Sequence, residues 1–165
     1  MRLWTAQHQD VVGVLERTGR LVGDWDLVPA SWRPAYRVMA AEMARRGIDC
    51  AGRPPVWAWP EPDTKDSRVA VTARLLLSDV QFEAGVVVLD LEVPDAQVLR
   101  SSYSAWNDVL CGYLDGERSP VMDWAITPEE EHDPERVRVQ ACLPLLHRSW
   151  VRGSRPIEPL WPPGE

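Results

Sequence analysis

The clearest periodicity in the chain lies at Val86–Val93, an aliphatic run between Gly85 and Pro94. β-Branched and aliphatic residues in a short run bounded by turn formers predict a buried strand. Strand side chains alternate between faces, so Val87, Leu89, Leu91 and Val93 share one face. Val86, Val88, Asp90 and Glu92 share the other. The strand therefore starts apolar on both sides and ends with two carboxylates on one side. Taken as a central strand, it either opens a ligand cleft at its polar end or lets both carboxylates reach solvent at a sheet rim.

The same logic, applied in order, predicts a short strand at Met1–Thr5, with Thr5 capping a helix that carries Val11, Val14, Leu15 and Thr18 and stops at Gly19. Arg20–Gly23 reads as a second short strand and Asp24–Pro29 as a loop containing Trp25. Ser31 is the expected cap of the clearest helix. Pro34 falls in its first turn, Tyr36, Met39, Ala40 and Met43 form one apolar stripe, and Gly47 ends it. Prolines flank Val56-Trp-Ala-Trp59, which must be extended, with Trp57 and Trp59 on one side and Ala58 opposite. Arg68–Val80 alternates loosely and is expected to form one or two strands, with Ser78-Asp79 as a turn or cap.

Beyond the aliphatic run, Pro94–Leu99 predicts one helical turn, and Ser101 or Ser102 caps a helix with a Tyr103, Trp106 and Leu110 face. Leu114–Pro120 reads as loop and Thr127–Pro134 as an acidic, mobile segment. Arg136–Leu143 alternates as a strand, Val137, Val139, Ala141 and Leu143 facing away from Arg136, Arg138, Gln140 and Cys142. Leu145–Val151 fits a short helix or a further strand, and residues 155–165, with four prolines, fit an extended or disordered tail. The expected organisation is one domain over residues 1–154, followed by that tail.

Composition narrows the function classes. The net charge is −7, which argues against a generic nucleic-acid binder. Residues 54–132 hold the whole acidic excess, 15 carboxylates against 5 basic residues, while both flanks are mildly basic. Cys50, Cys111 and Cys142 lie too far apart for a zinc or redox motif, and no apolar stretch follows Met1, so a reducing cytoplasm is expected. No stretch approaches a membrane span. Nine tryptophans stand against one phenylalanine. Tryptophan packs cores, and it also builds half-buried walls that stack a base or a sugar.

No phosphate loop or nucleophile elbow is present, and His8, His132 and His147 have no second metal ligand at strand or helix spacing. Cys142 and His147 are close enough in sequence to be weighed as a thiol nucleophile and its base. The remaining constellation is made of strand-end polar and aromatic groups: Arg2, Thr5 and Gln7 with Trp4 between them, Trp57 and Trp59, Asp90 and Glu92, and Arg138 with Gln140.

Arg2-Leu-Trp-Thr-Ala-Gln7, Val56-Trp-Ala-Trp59, Leu89-Asp-Leu-Glu-Val-Pro-Asp95 with Val98-Leu99, Ser101 and Trp106, and Val139-Gln-Ala141 resemble the bacterial family DUF3841, in order and over nearly the whole chain. Ala6 and Leu143-Pro144 depart from its pattern, so the strand at Val139 is expected to end early. That family carries no assigned activity and implies no catalytic residue.

The order of elements is more distantly similar to the ADP-ribosyltransferase-like fold, which binds NAD between two small sheets. This similarity implies Arg2 on phosphate, Thr5 near the nicotinamide ribose, and Trp57 or Trp59 stacked on a ring. Gln140 stands where a carboxylate is expected; an amide bonds a ribose hydroxyl but cannot act as the carboxylate, which leaves Glu92 or Asp90 for that role.

The expectation is thus a single α+β domain with a mixed, split or strongly twisted sheet and three or four helices. Its leading function is a cytoplasmic cleft for NAD or ADP-ribose, with no metal, cleaving the nicotinamide glycosidic bond if it is an enzyme. The rival is a non-enzymatic protein-interaction module of toxin–antitoxin, phage-related or regulatory type, built on the Trp-rich acidic middle.

Overall fold

The computed structural model describes residues 1–60, 67–77, 82, 85–133 and 138–157. Strand β1 (Arg2–His8) enters helix α1 (Gln9–Thr18), where the His8 ring nitrogen, not Thr5, accepts the Asp10 N–H. Thr5 lies mid-strand because β1 stays paired with β4 as far as His8 opposite Val86. Gly19, at φ 75°, closes α1 by donating its N–H to the Leu15 carbonyl, a left-handed turn that glycine adopts without strain. β2 (Arg20–Leu21) and a 3₁₀ turn (Trp25–Leu27) lead to α2 (Arg33–Arg45). This helix starts two residues after Ser31. Trp32 occupies the cap position without a side-chain bond, and Pro34 presets the first turn.

β3 (Val56–Pro60) is followed by α3 (Ser67–Leu76), where strands were expected. Val69, Val71 and Thr72 favour strand intrinsically, but Val69, Ala70 and Ala73 fall on one helical face and are buried against the sheet. Packing decides the outcome. Ser78-Asp79 lies outside the described residues.

β4 (Val86–Glu92) has the predicted alternation, and a 3₁₀ turn (Asp95–Gln97) precedes β5 (Leu99–Ser102), a strand that the sequence reading merged with its neighbours. Ser102 caps α4 (Tyr103–Leu114) by accepting the Ala105 N–H. Thr127 and Glu130 form a reciprocal capping box around α5 (Pro128–Glu131), so one turn of helix lies within this acidic stretch. β6 (Val139–Leu143) ends early at Leu143, while Arg136 and Val137 fall outside the described residues. β7 (Leu146–His147), a 3₁₀ turn (Arg148–Trp150) and β8 (Val151–Pro156) follow. Strand β8 therefore continues into the first residues assigned to the tail; residues 158–165 are outside the description.

The fold is a single α+β domain with one mostly antiparallel six-stranded sheet in the order β5-β6-β3-β1-β4-β8 and a separate β2–β7 ribbon. β4 lies next to the edge, and β3 and β1 are central. β3 is divided between two partners. Val56–Ala58 pair with Leu143–Ala141 of β6, whereas Trp59 and Pro60 pair with Trp4 and Leu3 of β1.

Each face of the sheet has its own core. Leu3, Val56, Ala58, Leu89, Leu91, Ala141 and Leu143 meet Leu15 of α1 on one side. On the other, Cys142 and Leu99 meet α2 and α4, while Trp4, Trp59 and Val88 meet Val69 of α3. Among the described residues no helix is long and apolar enough to cross a membrane.

Candidate functional site: an aromatic cleft where two strands part

The register between β1 and β3 runs through only Leu3–Pro60 and Trp4–Trp59. Past that point β1 continues beside β4 while the first half of β3 follows β6. The gap is bridged by side chains. Thr5, itself buried, donates its hydroxyl to the Trp57 carbonyl at 2.7 Å, and Gln7 Nε2 donates to Thr5 Oγ1 at 2.9 Å.

Above this parting lies a cavity of about 590 Å³, within the usual size of small-ligand sites. Ala6, Trp57 and Trp59 form its floor; Trp32 at the cap of α2, Tyr36 within it, Tyr103, Trp106 and Asn107 of α4, and Ala73 and Leu76 of α3 form its walls. Leu21–Asp24, Leu27, Val28 and Pro54–Val56 close the side. Gly23 is required there, because a Cβ would stand 2.0 Å from the Pro54 carbonyl oxygen. The 3₁₀ turn beside it is held by the Trp25 indole N–H on the Gly52 carbonyl at 2.8 Å, with the Arg37 guanidinium over the Trp25 ring.

The aromatic walls are packed against each other and so arrive preformed. Trp57 and Trp106 have ring centroids 4.6 Å apart, and Tyr36 meets both edge-on at 5.4 and 5.8 Å. Trp59 stacks on fully buried Trp4 at 5.2 Å, which fixes its ring plane. Burial pushes the Tyr36 phenol above its ordinary range, opposed in part by the Trp57 indole N–H nearby, so the phenol stays protonated at neutral pH. Among the described lining residues the single charged side chain is Asp24, whose carboxylate also caps the 3₁₀ turn through the Asp26 N–H.

The site residues expected from sequence divide into two groups. Gln7, Trp57 and Trp59 line the cleft, with Thr5 and Trp4 directly behind them. Arg2, Asp90, Glu92, Arg138 and Gln140 do not line it. Arg2 is exposed and stands opposite Glu92 in the β1–β4 register. Glu92 pairs with Arg152 at 2.6 Å and Asp90 with Arg155 at 3.3 Å, both toward the β8 edge. Arg138 pairs with Asp133 at 2.5 Å. Gln140 is fully buried in β6 and donates to the hydroxyl of Ser101, its cross-strand neighbour, at 3.0 Å.

Cys142 is fully buried, and desolvation first, then nearby Cys50, holds its thiol well above the usual range. His147 is exposed and bonds Ser149 at 2.6 Å. A buried thiol kept protonated in this way is not an available nucleophile. Among the described residues no three His, Cys, Asp or Glu side chains cluster as metal ligands would.

Sequence pattern does not single out the wall residues Trp32, Tyr36, Tyr103, Trp106 and Asn107 as site residues; it places Tyr36, Tyr103 and Trp106 only on the apolar faces of helices. Their signal was present as aromatic pairs at helical spacing, 32/36 and 103/106, but the same spacing describes any core-facing stripe.

A family model described as a domain of unknown function (DUF3841) matches residues 2–118, a span that includes every described residue lining the cleft but not Arg138 or Gln140. Neither comparison, with curated proteins or with solved structures, gives a match.

Proposed function

The chain belongs to the DUF3841 family, and we propose that its aromatic cleft binds a small ligand through a planar heteroaromatic ring. The observation that carries this reading is the preformed wall of Tyr36, Trp57 and Trp106 beside the Trp59–Trp4 stack, around about 590 Å³ of space. Stacking a ring on such a wall is worth roughly 1–3 kcal/mol per ring. The Gln7 and Asn107 amides supply polar contacts at the ring edge. The ligands anticipated from the sequence, NAD and ADP-ribose, fit through their nicotinamide or base. Glycosidic cleavage through Glu92 and Gln140 is not part of the proposal, because neither side chain lines the cleft.

The test is a tryptophan-fluorescence and thermal-shift titration with nicotinamide, adenine, adenosine, ADP-ribose and NAD. Ring binding quenches emission and raises the midpoint; at a hundred times Kd the gain is about 2.7 kcal/mol. Replacing Trp57 by Ala must abolish both signals. A flat response to the whole panel would sink the reading.

A second reading has its own observation. Leu27 is 79% exposed, and Val22 and Trp32 are also exposed, all three at the cleft mouth. An apolar rim of this kind suits an apolar side chain of a protein partner entering the cleft. Leu27→Asp separates the two: it removes partner binding but leaves ring ligands bound.

A further inference from the structure

We propose that the cleft selects its ring by charge, taking an uncharged or cationic heteroaromatic ring and rejecting an anionic one. This inference rests on the ring-binding reading above and narrows its ligand class.

The argument starts from the lining. Six aromatic side chains, Trp32, Tyr36, Trp57, Trp59, Tyr103 and Trp106, face the space. Aromatic faces carry negative quadrupole potential, which attracts a cation and repels an anion. Among the described lining residues there is no arginine, lysine or histidine, and the one charged group is the Asp24 carboxylate. A phosphate or carboxylate drawn into this cleft would lose water without gaining a guanidinium or ammonium. The whole chain adds to the bias with a net charge of −7.

Three described arginines on α2 and α3 have partners of their own: Arg74 lies over the Phe82 ring, and the other two are Arg37 and Arg33. Arg37 lies over the outer ring of Trp25, and Arg33 donates to the Val28 carbonyl at 3.1 Å. Arg148 and Arg152 line a separate, smaller depression between α1 and β8. Since no basic side chain is among the described residues that line the cleft, the phosphates of a nucleotide whose ring enters it gain no ion pair there and add nothing to affinity.

The experiment uses one ring in three charge states: 1-methylnicotinamide (cation), nicotinamide (neutral) and nicotinate (anion), each titrated against the full chain by tryptophan fluorescence at low salt. The expected order of affinity is cation at least equal to neutral, and both at least tenfold tighter than anion. Nicotinamide mononucleotide binds within twofold of nicotinamide riboside, which carries the same cationic ring without the phosphate. Asp24→Asn weakens the cation roughly threefold and leaves the neutral ring within twofold, which keeps the test independent of any loss of fold. Nicotinate binding as tightly as nicotinamide, or the mononucleotide binding more than twofold tighter than the riboside, overturns the charge selection while the ring-binding reading stands. Absence of binding by all three, by the nucleosides and by NAD overturns both.

Discussion

The hydroxyl of Thr5 and the carbonyl of Trp57 meet at 2.7 Å across the opening between β1 and β3. This contact is what lets two central strands diverge without leaving the Trp57 carbonyl unsatisfied in a buried place. Removing one partner of a buried hydrogen bond costs about 1–3 kcal/mol, more than the bond contributes when made. Thr5→Val, which keeps the side-chain shape, is expected to lower stability by that amount, seen as a fall in the thermal midpoint of several degrees. It also frees Gln7, so ring affinity drops with it. A Thr5→Val protein as stable as the wild type would show that the bridge does not hold the cleft open.

Gly23 packs on Pro54 at a distance that no side chain tolerates. Gly23→Ala forces the 21–28 segment or Pro54 to move, at a cost of about 1–3 kcal/mol for overpacking. The expected result is a lower urea midpoint together with weakened ring binding, since both residues line the cleft. Equilibrium unfolding and the fluorescence titration measure the two effects separately.

Glu92 and Arg152 form an ion pair at the β8 edge, with exposures of 55% and 62%. Exposed pairs of this kind contribute about 0–1 kcal/mol. Glu92→Gln is therefore expected to change stability by less than about 1 kcal/mol and ring affinity by less than twofold. A large loss of affinity in this variant would mean that the carboxylate reaches the ligand.

Glu42 supplies a pH dependence. It is buried on α2, and bonds from Arg45 first, then Arg46, overcome desolvation and hold its carboxyl down at about 2, from 4.5. Since the folded state lowers this pKa, the contribution is present above 4.5 and is lost as pH falls through about 2. Both arginines remain in water, which limits the effect to about 1 kcal/mol. Urea unfolding should show Glu42→Gln less stable than wild type at pH 7, and the gap should close between pH 4.5 and 2. A gap that persists at pH 2 would assign the loss to packing alone.

Local pattern determined a good part of this protein. The alternation at Val86–Val93, the prolines around Trp57 and Trp59, and the glycines after α1 and α2 specify their elements through short-range sterics and the need to bury one face. The α+β class follows from them. Tertiary structure decided the rest. The segment Ser67–Leu76 has strand propensity, yet it is helical because its Val69, Ala70 and Ala73 face packs on the sheet beside Trp4 and Trp59.

Asp90 and Glu92 lie one strand in from the edge, where Arg155 and Arg152 of β8 take them; strand order, which no periodicity encodes, decides between the two readings of these carboxylates, a ligand cleft and a sheet rim, in favour of the rim. The cleft arises because β3 divides its pairing between β6 and β1, and Trp32, Tyr36, Tyr103 and Trp106 become its walls only when α2 and α4 settle over that division. Which residues meet there depends on contacts between segments tens of residues apart, and such contacts are set by the packing of the whole chain.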